Sequence, residues 1–188
     1  MMNKVQTKYG MVQGAENRNY TVFKGISYAK APIGSLRFRY PVETKAWDGI
    51  YLADKFPPAC MQAMPEKEFD GAEYAARGVI LVTFNYRLGL FGFMCHPLLA
   101  EENNGSCGNY GIFDQIAALK WVKENIKAFG KDPDNITLFG QSAGSLTAQT
   151  LLLSPLTKGL FNKCIFQSGA GLEEWKPWTR ESQSVMIF

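Results

Sequence analysis

Apolar residues occur along the chain in two kinds of run, and their order predicts the fold class. The continuous apolar run over residues 79–84 is typical of a strand covered on both faces, as in a parallel sheet, and residues 136–139 and 163–167 have the pattern of buried strands. Residues 111–129 and 144–153 carry apolar positions that fit helices instead. Because strands and helices alternate, the pattern predicts an α/β fold with a mostly parallel sheet.

The helix predicted over residues 111–129 has the clearest period. Asp114 lies in its first turn and lysines lie towards its end, which complements the helix dipole, and Gly130 is the expected stop. Its apolar stripe consists of Ile112, Ile116, Leu119, Val122 and Ile126. One face of this helix is therefore expected to pack on the sheet.

The segments outside the sheet pattern are less regular. Short strand-like pieces punctuated by glycine, over residues 11–13 and 20–23, predict a small N-terminal antiparallel meander. Residues 46–69 show neither a strand nor a helix period, which predicts a loop or a join. After Leu172 no strand or helix period is present, and the tail is polar. It contains Trp175 and Trp178, which are candidates to line an acyl pocket or to pack locally.

Composition narrows the class of protein. The 188 residues are 46% hydrophobic and 20% charged, as in an ordinary globular protein with one core. The net charge of +3 is small and the basic residues are scattered, so neither nucleic acid nor a membrane surface is an expected partner. The N-terminus has no apolar stretch after its first lysine, so no signal peptide is predicted and the cytoplasm is the expected compartment.

The four cysteines do not have the spacing of a metal site. They are Cys60, Cys95, Cys107 and Cys164. Cys164 falls in a predicted strand and is expected to be a small buried hydrophobe. No metal and no cofactor are predicted.

Candidate chemistry lies where the strand at 136–139 meets the helix at 144–153. The join reads Gly140-Gln141-Ser142-Ala143-Gly144, and a G-x-S-x-G between a strand and a helix is the pattern of a nucleophile elbow. A chain of this length contains such a pentapeptide by chance with a probability of about 5%, so its placement matters. We expect Ser142 to adopt a strained conformation, with glycines on both sides because the turn leaves no room for side chains.

Further short motifs accompany this pentapeptide in a fixed order over residues 8–60 and 70–170. They are Phe23-Lys24-Gly25-Ile26-Ser27-Tyr28-Ala29, Leu36-Arg37-Phe38, Asn85-Tyr86-Arg87-Leu88-Gly89, Gly108-Asn109-Tyr110-Gly111, Asp114-Gln115, Trp121-Val122 and Phe166-Gln167-Ser168-Gly169. With them the chain closely resembles the type-B carboxylesterase family, the α/β-hydrolases that include the cholinesterases. The resemblance implies the N-terminal portion of an α/β-hydrolase fold and hydrolysis of a small-molecule carboxylic ester. It also implies that Ser142 is the catalytic, acyl-accepting nucleophile and that the amide of Ala143 is an oxyanion-hole donor.

The chain departs from the family pattern in one internal stretch. Cys60 is followed closely by Phe69-Asp70-Gly71, so two strands and a glycine-rich oxyanion loop that the family has in between are missing. The resemblance thus implies that residues 1–188 form a single partial domain with an internal deletion near 61–69 and a C-terminal truncation. The triad acid and histidine would lie in the part that is not present.

The missing glycine-loop strand would lie between the strands at 79–84 and 136–139. Its loss leaves two apolar edges, which must pair with each other, pair with another chain, or stay open. We therefore expect a marginally stable domain with a tendency to self-associate through these edges.

Three residues of this chain are candidates to substitute for missing parts of the site. His96, the only histidine, is expected to be a solvated or hydrogen-bonded loop residue, and Asp114 a helix N-terminal charge. Ser168 is expected to pack or to form hydrogen bonds near the site. Without a base the isolated chain is predicted to be inactive, which leaves a non-catalytic esterase-like interaction domain and a non-functional gene fragment as alternatives.

Overall fold

A computed structural model of the chain describes residues 3–56 and 71–169. The predicted internal deletion near residues 61–69, Cys60, Trp175 and Trp178 lie outside these described residues. The described part contains an N-terminal sheet, a parallel pair of strands, and five helices that follow the N-terminal sheet in the chain.

The N-terminal sheet begins as the predicted meander. Strands β1 (Lys4–Gln6), β2 (Met11–Glu16) and β3 (Thr21–Val22) pair in order and antiparallel. The fourth strand, β4 (Ile50–Ala53), pairs in parallel with β2. It lies inside the stretch 46–69, so the prediction that this stretch holds no strand is wrong. The first three residues of β4 are exposed, which is why no alternation of apolar and polar positions revealed it.

The second sheet contains the predicted parallel pair. Strands β5 (Thr137–Gln141) and β6 (Lys163–Gln167) pair in parallel and in register from Thr137–Lys163 to Gln141–Gln167. They are connected through helix α5 (Ala143–Leu153), a βαβ unit of the expected kind.

The helices before this unit are three short ones and one long one. They are α1 (Ala72–Ala76), α2 (Gly89–Phe93), α3 (Pro97–Glu102) and α4 (Tyr110–Asn125), and α4 continues as a 3₁₀ turn over Ile126–Phe129. Gly130 ends that turn with a φ of 82°, a left-handed conformation that glycine adopts without strain. The helix predicted over 111–129 is therefore confirmed.

The core lies between one face of the β5–β6 pair and helices α4 and α5. Its buried side chains are Ile116, Leu119, Leu138, Ala148 and Leu151. Cys164 packs against this cluster, as predicted for a small apolar residue, and burial raises the pKa of its thiol. The opposite face of the pair exposes Phe139 and Ile165, so the expectation that these strands are buried holds for only one face of the pair within the described residues.

Residues 79–84, predicted to be a strand, form no β-ladder. Val79, Ile80 and Val82 are 49%, 38% and 38% exposed. A strand exists only by hydrogen bonding to a neighbour, and none of the described strands pairs with this segment. Of the three outcomes expected for the open edges, pairing of the two edges with each other is not seen within the described residues.

A buried ion pair fixes the segment that follows. Arg87 donates from its backbone amide, Nε and Nη2 to the Asp114 carboxylate at 3.0, 2.7 and 2.7 Å, and the two side chains are only 9% and 7% exposed. A Cβ on Gly92 or on Gly111 would lie 2.2 or 2.5 Å from the Arg87 carbonyl oxygen, so α2 and α4 both approach that oxygen closely. Asp114 is thus a buried ion-pair partner, and its interpretation as a helix N-terminal charge is wrong.

A disulfide joins Cys95 to Cys107 and closes the loop that contains α3. The sequence pattern did not predict this pairing.

Candidate active site

Ser142 occupies a sharp turn between β5 and α5. Its φ of 52° and ψ of −120° are rarely adopted by a residue with a side chain, and such strain costs on the order of 1–3 kcal/mol. The serine is exposed to solvent and its side chain does not cap α5. The strand–turn–helix geometry and the strain expected from the pentapeptide are both observed.

The two glycines of the pentapeptide play unequal roles. A Cβ on Gly140 would lie 2.3 Å from both the carbonyl carbon and the oxygen of Gly144, so the strand end and the helix start touch. A Cβ on Gly144 would meet no described atom within 4 Å. The expectation that both flanking positions exclude side chains therefore holds for Gly140 and fails for Gly144.

Backbone hydrogen bonds hold the turn in place. The Ser142 amide donates to the Gln167 carbonyl at the end of β6 at 2.9 Å. The Ser142 carbonyl accepts from the amides of Ser145 and Leu146 at 2.9 and 3.1 Å, which starts α5. The turn thus depends on β6 and α5, both of which lie in the described part of the chain.

The Ala143 amide lies at the first position of α5. The first amides of a helix have no intrahelical acceptor, and no described backbone carbonyl accepts from this one. The positive end of the helix dipole also favours a negative charge at this position. An anionic oxygen next to Ser142 would find a suitable hydrogen bond here.

Below the turn, α5 packs tightly on the end of β6. Ser145 is fully buried, and its hydroxyl has no hydrogen-bond partner among the described residues. A Cβ on Gly169 would lie 2.0 Å from the Ser145 Oγ. Ser168 precedes Gly169 and has a φ of 48°, so it lies in a turn directly after β6. This turn is next to the elbow, because the last residue of β6 accepts the hydrogen bond from the Ser142 amide.

Tyr86 connects the segment before Arg87 to the elbow helix. Burial raises the pKa of Tyr86, and the neighbouring Thr147 hydroxyl of α5 acts in the opposite direction. Sequence reasoning had used Tyr86 only as part of a motif, because nothing local indicates a contact with a helix that starts much later in the chain.

No base reaches Ser142 within the described residues. The Nδ1 of His96 accepts a hydrogen bond of 3.3 Å from the Leu98 amide, which makes His96 the N-cap of α3 and confirms the expectation of a hydrogen-bonded histidine. The Asp114 carboxylate is occupied by Arg87. In the described part of the chain an exposed serine hydroxyl therefore lies beside the first amide of α5, and neither His96 nor Asp114 is available to take the serine proton.

Residues 3–56 and 71–169 contain neither a candidate metal cluster nor a candidate membrane-spanning helix. No group of three or more His, Cys, Asp or Glu side chains is arranged to hold a metal ion there. No helix in the same part of the chain is long and apolar enough to cross a membrane.

Comparison with known proteins gives consistent matches. A family model described as "Carboxylesterase family" matches residues 2–70 and 64–186. The para-nitrobenzyl esterase of Bacillus subtilis (strain 168) is 38% identical over 215 aligned residues, with 88% of this chain and 43% of that protein covered. The juvenile hormone esterase of Tribolium castaneum is 37% identical, with 91% of this chain and 37% of that protein covered.

Solved structures match as well. A thermophilic PNB esterase superimposes with a TM-score of 0.83 at 37% identity, covering 90% of this chain and 45% of that one. A Geobacillus stearothermophilus carboxylesterase gives a TM-score of 0.83 at 39% identity, covering 90% and 44%. The chain thus spans about two fifths of the length of the curated relatives that it matches.

The alignments also contain an internal difference in length. The 215 positions aligned with the Bacillus protein correspond to 88% of 188 residues, or about 165, so about 50 of these positions have no counterpart in this chain. The family model matches in two parts that meet at residues 64–70. The two parts of the family match therefore overlap between β4 and α1.

Proposed function

The chain belongs to the carboxylesterase family, and from this premise we propose that it carries the nucleophile of a carboxylic ester hydrolase at Ser142. The family and the partial α/β-hydrolase fold are as the motifs predicted. One observation supports the catalytic role above all: Ser142 is exposed and strained at a strand–helix turn, directly before the Ala143 amide. The substrate class that fits is a small-molecule carboxylic ester, in line with the esterase names of the relatives.

The reaction is an acyl transfer in two steps. The Ser142 Oγ bonds to the ester carbonyl carbon, the Ala143 amide donates to the oxyanion, and the C–O bond to the alcohol breaks. The serine proton passes to a base and then to the departing alkoxide. Water then attacks the acyl-serine in the same way, which releases the acid and restores the hydroxyl.

As an isolated chain the protein is expected to be a very poor catalyst. Loss of the triad histidine costs on the order of 10⁶ in turnover in a well-studied serine hydrolase. Each lost oxyanion donor costs roughly another 10²–10³. The only imidazole of the sequence caps α3, so no histidine of this chain is placed to accept the proton of Ser142.

A non-catalytic, esterase-like interaction domain is the second candidate, and the exposed apolar segment at 79–84 favours it. Self-association through the open edges would belong to this function. A retained, strained elbow is the argument against it, since an interaction domain gains nothing from this strain.

Chemical rescue tests the first candidate. The full chain is incubated with a fluorophosphonate probe, with and without added imidazole, and adducts are located by intact-mass and peptide mass spectrometry. We expect slow labelling alone, faster labelling with imidazole, and no adduct in Ser142→Ala. Ser35→Ala, which removes an exposed serine far along the sequence, serves as the matched control and should label like the parent chain.

Either of two results would reject part of the proposal. If Ser142 stays unlabelled with imidazole present, it is not a competent nucleophile and the interaction-domain function is preferred. If labelling is fast without imidazole, the chain contains a base and the expected inactivity is wrong.

A further inference from the structure

Two segments next to the elbow have unpaired backbone groups. Within the described residues β5 pairs with β6 along one edge, and no strand pairs with its other edge. The amides and carbonyls of residues 80–84 form no backbone hydrogen bonds there either. Because backbone polar groups in a fold are almost always paired, each segment presents an edge ready to accept a strand.

Contacts of flanking residues bring the two segments to the same region of the fold, and both segments are apolar. The Tyr74 ring of α1 lies 6.3 Å from the Phe139 ring of β5, and the Lys131 Nζ donates to the Gly78 carbonyl at 2.6 Å. Phe139 is 40% exposed, close to the values for Ile80 and Val82. The surface formed by residues 79–84 and β5, here named the open edge, is thus both apolar and rich in unpaired backbone groups.

The other side of the same segment is open too. A cavity of about 450 Å³ lies beside this segment, and it is lined by residues 82–87, residues 23–32 and helix α4. Segment 79–84 therefore lacks neighbours in the described part of the chain on the sides where a strand of a parallel sheet would have them.

The comparisons indicate what could occupy this space. The relatives carry about 50 positions that have no counterpart here, and the family match breaks at residues 64–70, just before α1 and the open edge. A strand–helix–strand unit needs only about 30 residues, so a segment of that length can supply a strand and its crossover.

We propose that the open edge is a docking site for an extended, apolar, strand-forming segment of a second polypeptide, equivalent to the roughly 50 positions that the relatives carry within their own chain. A strand inserted between residues 79–84 and β5 would pair with both at once. A second copy pairing through β5 would satisfy one edge and leave 79–84 open, so it fits this surface less well.

Hydrogen exchange with a synthetic peptide tests the docking site. The peptide has the sequence of the Bacillus para-nitrobenzyl esterase positions that align with no residue of this chain, and a scrambled peptide of the same composition is the control. We expect the authentic peptide to bind saturably at one per chain and to slow amide exchange roughly tenfold or more in residues 79–84 and 137–141. The scrambled peptide should protect neither segment.

Proline variants identify the edge. Alternate amides of an extended segment point to opposite sides, so Ile80→Pro/Val82→Pro and Leu81→Pro/Thr83→Pro each remove the donors of one side. These amides form no backbone hydrogen bonds in the described structure, so the fold without peptide should keep its circular dichroism spectrum. One of the two variants should lose peptide protection at both segments.

Each alternative result would overturn the proposal. Equal protection by the scrambled peptide would show non-specific apolar binding, and no protection by either peptide would show that the edge is not a docking site. An oligomer in light scattering with both segments protected before peptide is added would assign the edge to a second copy. Because none of these readouts uses Ser142, failure here leaves the proposed hydrolase function unaffected.

Discussion

The unequal roles of the two elbow glycines give the most specific prediction. A Cβ added at Gly140 would lie 2.3 Å from the Gly144 carbonyl group, whereas carbon atoms in contact prefer about 3.5–4.0 Å. Relief of this overlap requires a backbone shift of more than about 1 Å, and overpacking of this kind costs about 1–3 kcal/mol. We therefore expect Gly140→Ala to destabilise the chain by at least that amount.

Gly144→Ala is the matched control, because it makes the same chemical change four residues away. Its Cβ meets no described atom within 4 Å, and its φ lies outside the left-handed region. Position 144 belongs to α5, where alanine is favoured over glycine by about 0.5–1 kcal/mol. The two variants should therefore differ by about 2–4 kcal/mol in the free energy of unfolding, with opposite signs relative to the parent chain.

Urea unfolding followed by circular dichroism measures this difference. With a slope of about 2 kcal/mol per molar urea, the unfolding midpoints of the two variants should differ by about 1–2 M. Imidazole-dependent labelling of Ser142 should fall in Gly140→Ala, because the Ala143 amide moves, and persist in Gly144→Ala. Equal midpoints, or a larger loss for Gly144→Ala, would refute the reasoning from close backbone approach.

Three further predictions follow from contacts elsewhere in the fold. Asp114→Ala leaves the buried Arg87 guanidinium unpaired and should lower the free energy of unfolding in urea by about 3–5 kcal/mol. The double variant Arg87→Met/Asp114→Leu should recover most of this loss, and a loss below about 1 kcal/mol in Asp114→Ala would contradict the role of the ion pair. His96→Ala removes an N-cap and should cost about 1 kcal/mol without changing the labelling of the elbow serine, whereas slower labelling would identify His96 as a base. Reduction of the Cys95–Cys107 disulfide, which closes a short loop, should lower the free energy of unfolding by about 3 kcal/mol, so the chain should be less stable in the reducing cytoplasm predicted for it. Thermal melts with and without reductant measure this loss, and an unchanged melt would refute it.

The elements that sequence reasoning predicted are those fixed by short-range constraints. The elbow needs a glycine, a serine and a helix start within a few residues, and helix α4 shows its period in its own apolar stripe. Gly130 ends that helix for a local reason, the left-handed conformation. Each of these features can be recognised from one window of the chain.

The elements that were wrong or missed depend on distant partners. The apolar run at 79–84 has the composition of a strand, but a strand requires a neighbour and the described residues supply none. Strand β4 was missed because its parallel partner β2 lies far back in the chain and its own side chains are mostly exposed. Asp114 was interpreted as a charge at the start of its own helix, because its partner Arg87 lies 27 residues earlier in the sequence.

The same division between local and distant contacts explains why a strained serine can persist without its catalytic partners. The strain at Ser142 is of the order of 1–3 kcal/mol, and the groups that hold it are the Gln167 carbonyl, the first turn of α5 and the close approach at Gly140. All of them belong to one βαβ unit, β5–α5–β6. A base and the neighbours of the open edge would have to come from elsewhere, because the described residues contain neither. The geometry of the nucleophile should therefore be independent of whether the open edge is occupied, and labelling of Ser142 in imidazole should be the same with and without the docked peptide.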